Sequence, residues 1–208
     1  MGELRLAPKL SFRRVSAALW WLWRIPIPKC RGRAFQKACI CGRRGVWLGI
    51  NLFTAFLASW VVGLFEATLD QVVALAVLMP VVASMGGIAG SQTLTLMIRG
   101  LALGNITKRN QSQLLRKELG VAVITGLFWS LVVAAVATAW FRDPKIGLVI
   151  AIALVINQLF AALSGVLIPL LLKKLGIDPA LAGSVILTTV TDIIGFAAFL
   201  GLGAIILI

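Results

Sequence analysis

Ser184-Val185-Ile186-Leu187-Thr188-Thr189-Val190-Thr191-Asp192-Ile193-Ile194-Gly195 lies inside an apolar run, Ala180 to Ile208, that is long enough to cross a bilayer as a helix. Asp192 falls about 18 Å along that helix, near mid-membrane. A carboxylate there costs at least roughly 2.5 kcal/mol on insertion scales, so such residues normally face a bundle interior or a water-filled path. The rest of the chain must account for this acid.

Composition sets the class. With 60% hydrophobic residues and a mean hydropathy of +1.01 in 208 residues, the apolar surface exceeds what one soluble core can bury, and an integral membrane protein is expected. His and Tyr are absent, which excludes His-based zinc sites, a Ser-His-Asp arrangement and His proton relays. No nucleophile and base can then be paired around one central acid, so no enzyme is expected. Eleven of the twenty Lys and Arg residues precede position 46. That clustering reads as a cytoplasmic flank of the first span, and nothing in it resembles a base-reading module, so nucleic acid is not expected as a partner.

Residues 1–45 form a basic, Trp-rich segment in which Ser11 to Arg24 has the pattern of a short interfacial helix, apolar toward lipid and basic toward headgroups. Cys30, Cys39 and Cys41 read as reduced cytosolic thiols, because no fourth metal ligand stands near them. From residue 46 to 208 the hydropathy predicts an all-α domain of five transmembrane helices, at about 46–66, 71–98, 119–141, 146–172 and 180–208. A barrel would require short alternating strands, and none is legible. Glu66 and Asp70 bracket the first loop without any base, whereas the second carries Arg99, Lys108, Arg109, Arg116 and Lys117. The positive-inside rule therefore places the N-terminus in the cytoplasm and the C-terminus outside.

The second span is expected to be the least regular, with Pro80 and Gly86-Gly87 bending it or freeing carbonyls. Ser84, Gly87, Ser91 and Thr95 share one face of it, with Gln92 at the edge. The fifth span repeats the pattern in Ser184, Thr188, Asp192 and Gly195, with Thr191 beside them. Helix packing accounts for the small residues and hydroxyls alone. It does not account for Asp192, and no Lys or Arg lies in the central part of any span to pair with it. Asn157 and Gln158 read as interhelical hydrogen-bonding groups, and Glu118 as an acid at a helix N-terminus. Glu66 and Asp70 are either a cation-attracting outer mouth or an ordinary solvated loop.

Asp192, hydroxyls and carbonyls make an oxygen-only ligand set, which suits Mg2+ or Ca2+. One carboxylate is too few for a dehydrated ion. Mg2+ keeps its waters and is held by one or two carboxylates, so a two-fold dimer that brings two copies of Asp192 together would form a hydrated-ion site.

Three segments extend this reading. Arg43-Arg44-Gly45-Val46-Trp47-Leu48-Gly49-Ile50-Asn51-Leu52 with Phe65-Glu66, Met85-Gly86-Gly87-Ile88-Ala89-Gly90-Ser91-Gln92 with Arg99-Gly100-Leu101-Ala102, and Lys174-Leu175-Gly176-Ile177-Asp178-Pro179-Ala180 with Thr188 to Gly195 closely resemble the transmembrane domain of the MgtE family of magnesium channels and transporters. The resemblance covers residues 43–208. It implies a homodimer of five-span protomers in the plasma membrane, with an interfacial pore lined chiefly by the second and fifth spans. It implies that Asp192 holds hydrated Mg2+ with groups around Ser184 and Thr188. Ile88 stands where the family usually has Asn, which removes a polar side chain. Family members typically carry an acidic, Mg2+-sensing cytoplasmic part, whereas here the expectation is only the basic segment, which contacts membrane lipids and serves as a possible plug. The competing expectations are transport of Co2+ or Ca2+, Na+-linked Mg2+ export, and a non-transporting membrane scaffold.

Overall fold

The computed structural model describes residues 33–104, 106 and 110–207. The chain divides into two compact units, residues 1–48 and 49–208. Cys30 and the expected interfacial helix Ser11 to Arg24 lie outside the described residues. Among the described residues six helices follow in order: α1 (Arg33–Gly63), α2 (Glu66–Gln71), α3 (Val73–Ala102), α4 (Gln111–Phe141), α5 (Pro144–Lys174) and α6 (Pro179–Leu207). No strand occurs among the described residues. Among the described residues four helices are long and apolar enough to cross a membrane: α3, α4, α5 and the Ala182–Leu207 part of α6. Within α1 the apolar part is the shorter stretch Leu48–Gly63.

The helices outrun the apolar segments that announce them. The third span was expected from 119, yet α4 begins at Gln111, because Gln, Leu, Arg and Lys are good helix formers and the ladder continues beyond the hydrocarbon. Likewise α1 starts at Arg33 and not near 46. The expected loop between the first two spans is instead the short helix α2, which carries Glu66 in its first turn.

Turn chemistry stops each element where the next begins. Arg142 adopts the left-handed conformation (φ 55°) after α4, and Asp143 then caps α5 by accepting from the Lys145 N–H at 2.8 Å, with Pro144 at the first helical position. At the other end Gly176 (φ 72°) closes α5 in a Schellman turn: the Ile177 N–H donates to the Leu172 carbonyl at 3.0 Å and the Gly176 N–H to Lys173 at 3.2 Å. Lys173 and Lys174 complement the helix dipole there. Asp178 then accepts from the Ala180 N–H at 2.9 Å to open α6.

α5 is the hub of residues 49–208. It packs against α3, α4 and α6, and Val149, Ile150, Ala153, Asn157 and Ala161 on it are all fully buried. By contrast α4 buries only a stripe of small residues, Ala122, Gly126, Ser130 and Ala137, and turns Ile124, Phe128, Leu131 and Trp140 outward. α3 and α4 scarcely touch each other, since α5 lies against both. The apolar core gathers Leu75, Leu78 and Val82 of α3, Ile146 to Leu154 of α5, and Phe199 with Leu200 of α6.

The expected irregularity of the second span is absent. α3 is continuous through Pro80 and Gly86-Gly87, and its glycines serve close approach. A Cβ on Gly86 would run into the Asn157 amide, and one on Gly90 would meet Leu187 at 3.0 Å. Gly87, on the other side, has nothing within 4 Å.

Candidate functional site

α3 and α6 pack side by side, which brings the two polar stripes onto neighbouring helices. Ser84, Ser91 and Thr95 on α3 and Ser184 and Thr188 on α6 are exposed on the protomer, while Gly87 and Asp192 are half-buried. Elsewhere the exposed side chains of these spans are mostly large and apolar. The hydroxyl-bearing face is thus distinct from an ordinary lipid-facing surface.

Three hydroxyl protons on this face are already committed. Ser91 donates to the Ile88 carbonyl at 2.9 Å, Thr95 to Ser91 at 2.8 Å, and Thr188 to both Ser184 and Val185 at 3.1 and 3.0 Å. Each of these hydroxyl oxygens keeps acceptor lone pairs. Such oxygens accept hydrogen bonds, and the coordinated waters of a hydrated cation are donors. Asp192 adds a carboxylate on the same helix as Ser184 and Thr188, and α6 contains no Lys or Arg to pair with it.

Two residues of the sequence-predicted set lie elsewhere. Thr191 is fully buried and donates to the Thr188 carbonyl at 3.0 Å. Gly195 is buried too, and a Cβ there would meet the Asn157 amide nitrogen at 2.7 Å. Both belong to the side of α6 that packs inward, because a three- or four-residue step drifts around the helix and the stripe is wide enough to span two faces. Glu66 and Asp70 are exposed on α2. Among the described residues no three acids, cysteines or histidines converge on a possible metal, so one protomer offers a single carboxylate.

Two polar contacts join helices, a role expected of Asn157 and not of Glu118. Asn157 donates to the Val82 carbonyl of α3 at 2.8 Å, while its Oδ1 is buried without a partner. It sits against Gly86 of α3 and Gly195 of α6 and so ties α5 to both helices of the candidate site. The polar pair Asn157-Gln158 in an apolar span was the available signal. Glu118, expected at a helix N-terminus, lies two turns inside α4, where its carboxylate accepts from the Thr93 hydroxyl at 3.1 Å. The earlier start of α4 removes it from the first turn.

Residues 79–202 match the family model of MgtE, described as a divalent cation transporter. The chain belongs to the MgtE family. It is similar to the magnesium transporter MgtE of Bacillus subtilis, with 34% identity over 160 residues, which are 77% of this chain and 36% of that protein. Magnesium transporter MgtE of Thermus thermophilus is likewise 34% identical over 161 residues, again 77% and 36% of the two chains. The Enterococcus faecalis magnesium transporter MgtE is 30% identical over 151 residues, 73% of this chain and 33% of its own length. The chain thus spans about a third of the length of the curated relatives it matches. With four apolar helices of spanning length, it is a multi-pass membrane protein of this family.

Proposed function

We propose that this chain conducts divalent cations, preferentially Mg2+, into the cytoplasm through a pore formed between two copies of itself in the plasma membrane. The observation that carries the reading is Asp192, half-buried on a helix without basic residues, at one end of the exposed oxygens of Ser184 and Thr188. In a dimer related by a two-fold axis along the exposed faces of α3 and α6, two copies of Asp192 face one hydrated ion. Their carboxylates, the acceptor lone pairs of Thr188 and Ser184 and the carbonyl oxygens between them take up hydrogen bonds from its waters. Ser84, Gly87, Ser91 and Thr95 line the path beside them. Thr191 and Gly195 hold α6 against α5. α1 is the first of five spans, the N-terminus is cytoplasmic and the C-terminus external. Glu66 and Asp70 raise the cation concentration at the outer mouth. An inward-negative potential contributes about 4.6 kcal/mol per 100 mV to a doubly charged ion, which suffices to drive uptake.

The test is Mg2+ uptake into vesicles containing the full chain and a Mg2+-sensitive dye. Uptake that is driven by an inward-negative potential and abolished in Asp192→Ala is expected. Unchanged uptake in that variant overturns the ion site, and no cation flux in the wild type favours a scaffold. Stronger flux of Co2+ or Ca2+ than of Mg2+, or a requirement for Na+, overturns the choice of ion.

A further inference from the structure

The cleft between α3 and α4 borders the polar face of α3 at Gln92 and is otherwise mostly apolar, with Thr93, Thr125 and Gln158 among its lining. It has a volume of about 410 Å3, and α5 contributes Gln158 and Ala162 to its lining. Its walls are apolar over most of their length, with Ile88 and Leu96 from α3 facing Val121 and Trp129 from α4. At the end nearest the α3–α4 connection stand Lys117 and Glu118. From Lys117 to Trp129 the cleft follows α4 for about 18 Å. Glu118 already accepts the Thr93 hydroxyl, whereas Lys117 is exposed. α3 and α4 carry Arg99, Arg116 and Lys117 toward this end against the one acid Glu118, three positive charges less one negative, or a net of two positive.

We infer that this cleft is a binding site for an anionic phospholipid, with the phosphate at Lys117 and one acyl chain laid between α3 and α4 toward Trp129. The length fits a chain, since the cleft runs along α4 for about 18 Å from Lys117 to Trp129. The charge fits a phosphate, because a net positive end at the limit of the apolar part of α4 lies where headgroups lie. Ile88 makes the cleft wall apolar where an Asn would present an amide to the chain.

The experiment uses the full chain in phosphatidylcholine vesicles doped with phosphatidylglycerol bearing a photoreactive diazirine in mid-chain, with peptide mapping of the labelled sites. Labelling concentrated at Ile88 and Leu96 of α3 and at Val121, Thr125 and Trp129 of α4 is expected, above that on the outward face of α4 at Ile124 and Leu131. Ala122→Trp, which fills the cleft, removes the concentrated labelling and leaves the outward face labelled. Lys117→Gln lowers the preference for phosphatidylglycerol over a phosphatidylcholine probe by about fivefold, the equivalent of about 1 kcal/mol for one basic residue at an anionic surface. Lys117 is exposed, so this variant tests the site even where the filling variant does not fold. Even labelling of all lipid-facing helices, or equal labelling by the two headgroups, overturns the proposal. So does an efficient intermolecular disulfide between Phe56→Cys and Val121→Cys, which places a second copy's helix in the cleft.

Discussion

Asn157 on α5 and Asp192 on α6 are both polar residues in apolar helices, and their fates differ. Asn157 has no exposed surface, spends its amide on the Val82 carbonyl and lies against glycines on two neighbouring helices. Asp192 stays half-buried, on the helix that also exposes Ser184 and Thr188. A buried amide of modest interaction energy joins helices. A carboxylate without a base beside it keeps its oxygens free for another partner. On the proposed function, polarity inside a membrane helix is structural where the protomer surrounds it and serves the ion where the protomer leaves it open.

The largest expected effect falls on the open side. Asp192→Ala should lower Mg2+ flux in vesicles by more than about tenfold, the equivalent of about 1.4 kcal/mol, without loss of thermal stability in detergent, since it removes a costly membrane carboxylate. A destabilised variant with its flux intact would merge the two classes. Neighbouring glycines give the next contrast. Gly86→Ala forces a methyl into the Asn157 amide and should cost about 1–3 kcal/mol in reversible unfolding, whereas Gly87→Ala, with open space around it, should leave the stability of the protomer unchanged and alter only conduction. Asn157→Ala should follow at about 1–2 kcal/mol, from a lost interhelical hydrogen bond and a small cavity. Thr93→Val, which removes the bond to Glu118, should cost about 0.6 kcal/mol. The smallest effect is expected at the rim. Glu66→Gln with Asp70→Asn should slow uptake by less than about threefold at low ionic strength and not at all in high salt, because exposed charges act through a screened field.

Much of this division was legible before any coordinates. The helices, the two polar stripes and the isolation of Asp192 follow from composition and from spacings of three and four. The exposure of Thr188 against the burial of Thr191 was not legible, although both hydroxyls belong to one twelve-residue stretch. Their difference depends on how α6 is rotated against α5, which no local pattern encodes. The Asn157 contact joins residues 75 apart and the Thr93–Glu118 contact residues 25 apart. Gly86-Gly87 illustrates the same limit: the pair suggested a break, and the structure makes one glycine a contact point and the other a free surface.

By itself the sequence determined that the chain is helical and membrane-spanning, because a bilayer offers backbone groups no partner but their own helix, and that one acid stands unneutralised among oxygen donors. Only the tertiary structure decided which of those oxygens are open and which hold the bundle. It made α5 the hub and left a charged-ended cleft between α3 and α4. These outcomes depend on the rotation and approach of whole helices, set by small residues whose role appears only when the opposing side chain is in place.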